Sequence, residues 1–353
     1  MKENRLRILL LSDCTSFHTE RFLAELRRQG CRVLPASLEY GQVRHIHLKR
    51  RLGIRPLYYL LSVSEIRRII DRFRPDVINP HFASGYGFAA ALAARGRSVP
   101  VVLNLWGSDV LIAPQRSPLH KLRARLALRK ADLVVGDSQY LVTAAERLAP
   151  LARSEVIPWG IELRFLSLHK SGYSFQKPLR IIVPRRHEKV YNNVFVLRSL
   201  APLVEQGKVR VTFPAFGSLS QAFRRLAEGL LASGVQFYEA MSREQFLQLM
   251  AEHDVYLSAS GSDSSPASLI EAMALGLIPV AADIPGVREW LNHESGRLFR
   301  QNDESDLREC IIQLLHADDT LSTLRLRNLE RVRREAIFED NVATQIRLMK
   351  ELL

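Results

Sequence analysis

Cysteine is scarce in this chain. Cys14, Cys31 and Cys310 are the only three among 353 residues, and they lie far apart. A set that is odd in number and scattered excludes a disulfide framework and offers no zinc-ligand spacing. It suits a reducing compartment. Long apolar runs are missing too. No stretch approaches the ~18 apolar residues of a membrane-spanning helix. Ile8-Leu9-Leu10-Leu11 follows basic residues but is too short for a signal peptide, so it reads as a first buried strand. There is no internal repeat and no low-complexity segment.

Acidic residues are thin in one half. Residues 1–175 hold 28 Lys+Arg and 14 Asp+Glu, a balance of +14; the remaining 22 and 23 give −1 to residues 176–353. The excess suggests an anionic partner for the N-terminal half: a membrane surface, an acidic glycan or nucleic acid. It is densest at 44–74 and 117–130. In the first stretch, Arg50, Arg51, Arg67 and Arg68 interleave with Tyr58, Tyr59, Leu60 and Leu61. That pattern fits either an interfacial segment or two amphipathic helices with solvated basic faces. In the second, His120, Lys121, Arg123, Arg125 and Arg129 alternate with leucines, which predicts a basic amphipathic helix.

What is present is globular. Hydrophobic residues make up 47% and charged ones 25%, and the length suggests two domains with separate cores. The opening reads as strand (5–12), loop (13–19), helix (20–29) and strand (31–35), a doubly wound α/β beginning. Ligands in such sheets bind beyond the carboxyl ends of the strands, which puts His18 and Thr19 beside a cleft. Thr19 serves equally as a helix cap. A strand over 76–80 ends at His81. Another over 99–105 ends in Trp106-Gly107-Ser108-Asp109. The turn-rich segment 169–178 reads as a linker.

The most informative stretch is Ser258 to Leu291. Small and turn-forming residues, Ser264 to Ser268, precede a helical run from Leu269 that stops at Gly276. Leu277 to Ala281 predicts a buried parallel strand, and Pro285-Gly286 a turn. The first N–H groups of a helix lack intrahelical partners and carry partial positive charge, so the helix start can receive a diphosphate. Asp263 lies before it and Glu271 eight residues later.

This stretch resembles the donor-binding signature of family 4 glycosyltransferases, Glu-x7-Glu followed by Ala-Met-Ala-x-Gly-x-Pro-Val. Here it reads Asp263-x7-Glu271 and then Ala272-Met273-Ala274-Leu275-Gly276-Leu277-Ile278-Pro279-Val280. The first acid is Asp, and one residue is inserted before Pro279. The resemblance implies the GT-B fold: two Rossmann-like, doubly wound α/β domains facing a central cleft. The expected division is an acceptor domain at 1–168, a linker at 169–178, a donor domain at 179–335 and a C-terminal helix at 336–353 that crosses back to the first domain.

It also implies site roles. Asp263 would touch the donor sugar and Glu271 the ribose. Ser265, Ala267, Ser268 and Leu269 would meet the diphosphate at the helix start. His81 and Asp109 would face the reacting sugar, with Trp106 where the family has His. Arg186, or alternatively Arg185, would clamp the diphosphate with Lys189; Tyr191 stands at the usual Lys position. Gly217 would approach the ligand closely, and the segment around Tyr238 would read the base. His18, Thr19 and Trp106 would lie on the acceptor side. The implied activity is retaining transfer from a nucleotide-diphosphate sugar to a glycan or lipid-linked acceptor, without metal or other cofactor. The setting expected is cytoplasmic, peripheral on an anionic inner membrane face, with no specific nucleic-acid partner. A sugar-nucleotide epimerase of the same fold and a non-catalytic binding subunit are the alternatives.

Overall fold

The computed structural model describes residues 5–41, 43–49, 57–170, 177–231, 233–317 and 320–353. Arg50, Arg51 and Arg55 of the first basic stretch lie outside these residues, as does 171–176 of the expected linker. The chain divides into two compact units, Met1–Pro158 with Glu339–Leu353, and Trp159–Phe338.

Among the described residues the first unit is built on seven parallel strands: β1 (Arg7–Leu11), β2 (Arg32–Ser37), β3 (Ile46–His47), β4 (Val77–Pro80), β5 (Val102–Asn104), β6 (Leu133–Gly136) and β7 (Ser154–Val156). They pair in the orders β3-β2-β1-β4 and β5-β6-β7. Single bridges, Ile78 to Val101 and His81 to Asn104, connect β4 to the β5 edge. The combined order is that of a Rossmann sheet. Ile8 to Leu11 are fully buried, as a strand covered by helices on both faces should be. Leu11 pairs with both Ala36 and Pro80, so β1, β2 and β4 end together.

The second unit has one six-stranded parallel sheet: β8 (Leu179–Ile182), β9 (Val209–Pro214), β10 (Val235–Tyr238), β11 (Val255–Ser258), β12 (Ile278–Ala282) and β13 (Arg297–Phe299). Its order, β10-β9-β8-β11-β12-β13, repeats the same winding. Separate apolar cores lie around the sheet. One holds Phe213, Phe223 and Phe299; the other holds Tyr256, Met273 and Trp290.

Several expectations are corrected. The first helix starts at Phe17, three residues early, with Ser16 at its N-cap position. Thr19 therefore does not cap it; its buried hydroxyl meets Ser12 Oγ at 2.8 Å. Pro285-Gly286 opens a helical turn, Pro285–Arg288, with Pro at the first position, where its missing N–H costs nothing. The first domain ends earlier than residue 168. Ile161 is fully buried and bridges to Ile337, and Phe165 packs in the second core, so Trp159 to Leu168 belong to the second unit. The helix Phe338–Lys350 lies largely in the first unit, where Gln29 Nε2 donates to the Glu339 carbonyl at 2.8 Å and Arg153 pairs with Glu351 at 3.0 Å.

The two basic stretches also behave differently from one another. Tyr58 and Tyr59 pack against the first unit's core, with Tyr59 edge-on to Tyr86 at 5.2 Å, so they are not an insertion surface. The second stretch forms the helix Pro118–Lys130. Arg123 is buried, its guanidinium 5.3 Å from the Phe88 ring centroid. On the opposite side Leu119, Leu122 and Leu126 are exposed in one helical row, beside exposed Lys121, Arg125 and Arg129.

Candidate functional site

In the second unit the predicted residues gather at the carboxyl ends of β8 and β11. Arg185 and Arg186 follow β8, but only Arg185 turns in. Its side chain is 13% exposed against 62% for Arg186. Arg185 Nη2 donates to Asp263, Nη1 donates to Ser268 Oγ at 3.3 Å, and the guanidinium lies 4.3 Å from the Tyr191 ring centroid. Of the two arginines expected at the diphosphate, the structure brings Arg185, and not Arg186, to Asp263 and Ser268. Among the described residues Arg186 pairs with Glu188, at 3.9 Å. Lys189 is exposed on the turn Lys189–Tyr191 and lines a separate cavity with Phe223 and Leu226.

The helix Ala267–Leu275 begins beside Arg185 and is stopped by Gly276 at φ +82°. Ala267 and Ser268 supply its first-turn N–H groups. Ser265 is otherwise engaged: its Oγ accepts from Trp290 Nε1 at 2.8 Å. Leu269 is fully buried and its N–H donates to Pro266 O at 2.9 Å, so it is removed from the ligand-facing set. A Cβ on Gly286 would sit 2.1 Å from the Ser264 carbonyl; glycine there lets the Pro285 turn lie against the loop. Gly217, at φ +123°, answers the same need against His187, whose backbone N would be 2.4 Å from a Cβ. That close approach is to protein backbone. Tyr238 is buried between Phe216 and Phe246, and its carbonyl accepts from Ala215 N–H at 2.7 Å.

Glu271 has a partner the sequence reading missed. Arg243 Nη1 donates to it at 2.7 Å, while Nε and Nη2 of Arg243 hold Glu162 at 2.8 and 2.6 Å. All three side chains are nearly buried. One signal was available. Arg243 opens a helix, where a cation opposes the helix dipole unless acids offset it.

In the first unit, His81, Trp106 and His18 do come together. The Trp106 ring centroid lies 5.8 Å from that of His81 and 6.0 Å from that of His18. His81 is 1% exposed and meets Ser12 Oγ at 3.2 Å. Burial pushes its imidazole down to about 3, so it is neutral near pH 7. Asp109 is fully buried and accepts from the N–H groups of Ala83 at 2.6 Å and Trp106 at 3.0 Å. It ties the segments after β4 and β5 together. Burial pushes its carboxyl up to about 6, against the pull of those donors.

These two groups bend the pH dependence in opposite senses. Folded Asp109 binds more protons than the unfolded chain between about pH 4 and 6, so its contribution falls as pH rises. Folded His81 binds fewer between about 3 and 6.5, so its contribution rises with pH. Asp109→Asn keeps an acceptor and removes the falling part. Urea denaturation at pH 4, 5 and 6 should then show first-unit stability climbing more steeply with pH than in the wild type. An unchanged slope would sink the burial argument for Asp109.

Comparison with known proteins agrees with this architecture. Residues 7–138 match the family described as Glycosyl transferase 4-like, and residues 167–330 match Glycosyl transferases group 1. A Bacillus subtilis protein named for teichuronic acid biosynthesis is 26% identical over 269 residues, covering 71% of this chain and 66% of that protein. The N-acetyl-alpha-D-glucosaminyl L-malate synthase of Bacillus anthracis is 24% identical, covering 80% of this chain and 75% of that one. Among solved structures, Anabaena HepE with UDP and glucose superposes with a TM-score of 0.80 at 18% identity, covering 99% and 100% of the two chains. The sucrose-phosphate synthase of Thermosynechococcus elongatus gives 0.82 at 17%, covering 99% of each chain. By these matches, and by its two Rossmann-like units, the chain belongs to the group 1 glycosyltransferases of GT-B fold.

Proposed function

We propose that the chain is a retaining, metal-independent glycosyltransferase that moves a sugar from a nucleotide-diphosphate sugar to a hydroxyl of a glycan or lipid-linked acceptor. The observation that carries this reading is the Arg185 cradle. A guanidinium held by Asp263, Ser268 and Tyr191 sits beside the start of a nine-residue helix. Fixed positive charge of this kind stabilises a departing diphosphate and lets side chains supply what a metal would. Glu271 would receive the ribose and Asp263 the donor sugar. The acceptor would be bound by the first unit. Synthesis of a cell-surface polysaccharide or glycolipid is the proposed setting, supported by relatives named for teichuronic acid and amylovoran biosynthesis.

A thermal-shift screen of nucleotide sugars tests donor binding, since a ligand bound only by the folded state raises the melting temperature. UDP-sugars come first, because the similar HepE structure holds UDP. Product anomeric configuration by NMR then tests retention. No stabilisation by any nucleotide sugar would overturn the reading.

The proposal places the first unit on an anionic cytoplasmic membrane surface. Among the described residues no helix is long and apolar enough to cross a membrane. The support is the exposed row Leu119, Leu122 and Leu126 with its basic neighbours, a combination suited to shallow insertion. Each Lys or Arg near such a surface contributes about 1 kcal/mol. Anionic vesicles should sediment the protein, and part of that binding should survive high salt. Changing the three leucines to Gln should abolish the salt-resistant part. Equal absence from neutral and anionic vesicles at low salt would refute the placement.

A further inference from the structure

A cavity of about 210 Å³ opens in the first unit where β1, β2 and β4 end. Ser12 and His81 line it, Trp106 and Tyr59 add aromatic faces, and Asp13 and Glu39 bring two carboxylates. At about 30 Å³ per water it has room for roughly seven waters, the scale of a single small ring.

The two acids are held in place by the protein. Asp13 Oδ1 accepts from Thr15 N–H at 2.8 Å and Thr15 Oγ1 at 2.6 Å. Glu39 accepts from the Tyr86 phenol and from Ser37 Oγ at 3.1 Å. The Tyr86 oxygen accepts in turn from Leu38 N–H at 2.7 Å. Burial and the neighbouring Glu39 push the phenol of Tyr86 up, so it keeps its proton and donates. Glu39 is thereby fixed to the end of β2.

The acids stand out against their surroundings. They belong to the half of the sequence with a balance of +14. An ionised carboxylate accepts hydrogen bonds and donates none, and can take about four. A site carrying two of them favours hydroxyls and rejects a carboxylate or phosphate. The floor adds no charge, because His81 is neutral. The apolar faces of Trp106 and Tyr59 suit the C–H faces of a sugar ring.

We propose that this cavity binds one uncharged sugar ring of the acceptor, with Glu39 and Asp13 accepting its hydroxyls and excluding an anionic substituent on that ring. The inference rests on the transferase reading for the word acceptor, and it separates two roles of charge. The basic exterior draws the protein to an anionic environment, while the ring that enters the site is neutral.

The test needs no donor and no turnover, so a chain that transfers nothing still answers it. Saturation-transfer NMR with the full chain would compare methyl α-D-glucopyranoside with methyl α-D-glucuronide at pH 7. The neutral glycoside should bind, and the uronide at least about tenfold more weakly. Glu39→Gln keeps an acceptor for Tyr86 and should narrow the gap, and Glu39→Lys should reverse the order. Melting curves establish that each variant is folded. Equal binding of the two glycosides, no binding of either, or an unchanged gap in a folded Glu39→Gln variant would overturn the proposal.

Discussion

Arg243→Ala should destabilise the second unit by about 3–5 kcal/mol, the cost of removing one partner from a buried ionic group. In the wild type, one guanidinium serves two carboxylates, Glu162 and Glu271, whose side chains are 13% and 5% exposed. Without it both acids stay in a poorly solvated place and lose this counter-charge. They must then take up protons, draw in water or push the chain apart. A domain of this size melts about 2–4 °C lower per kcal/mol lost, so calorimetry should show the second unit's transition falling by about 6–20 °C. Adding Glu162→Gln should restore part of that loss, because one repelling charge is gone. A loss below about 1 kcal/mol would mean that water already shields both acids and that the triad belongs with exposed ion pairs.

Arg185→Ala should lower the transfer rate by about 10²–10³-fold, the usual consequence of removing one pre-placed donor to a developing anion. Arg186→Ala should leave it within a few-fold, because that side chain points to solvent. Arg185 also neutralises Asp263 and stacks on Tyr191, so the variant should loosen the loop before the helix Ala267–Leu275. Calorimetry with a nucleoside diphosphate and with its nucleoside separates the effects. The variant should lose affinity for the first and keep it for the second. If Arg186→Ala gives the larger loss, the cradle described here is not the diphosphate site.

Much of the fold was legible because its signals are local. Ile8 to Leu11 and Leu277 to Ala281 are short apolar runs bounded by turn residues, and both are strands. Gly276 stops its helix in the left-handed conformation that glycine tolerates. Adjacent residues in a loop were not legible. Nothing local distinguishes Arg185 from Arg186, since their directions depend on Asp263, 78 positions away from Arg185. Thr19 was a plausible cap by residue type, yet the helix begins earlier and uses Thr19 inside. Tyr58 and Tyr59 look interfacial beside arginines, but Tyr86 and Gly85 receive Tyr59 from the far side of the core. Arg243 joins Glu162 and Glu271 across 81 and 28 positions, and no spacing rule reaches that far.

Residues Glu339 to Leu353 belong to the unit that also contains the first strand. The ribosome makes that strand before the second unit and the piece that completes the first unit after it. The second unit, a continuous segment from Trp159 to Phe338, is complete in sequence before then. A released chain truncated after residue 338 should therefore carry a protease-resistant second unit and a first unit that is still open to cleavage. The half that carries the basic surface would be the later of the two to mature.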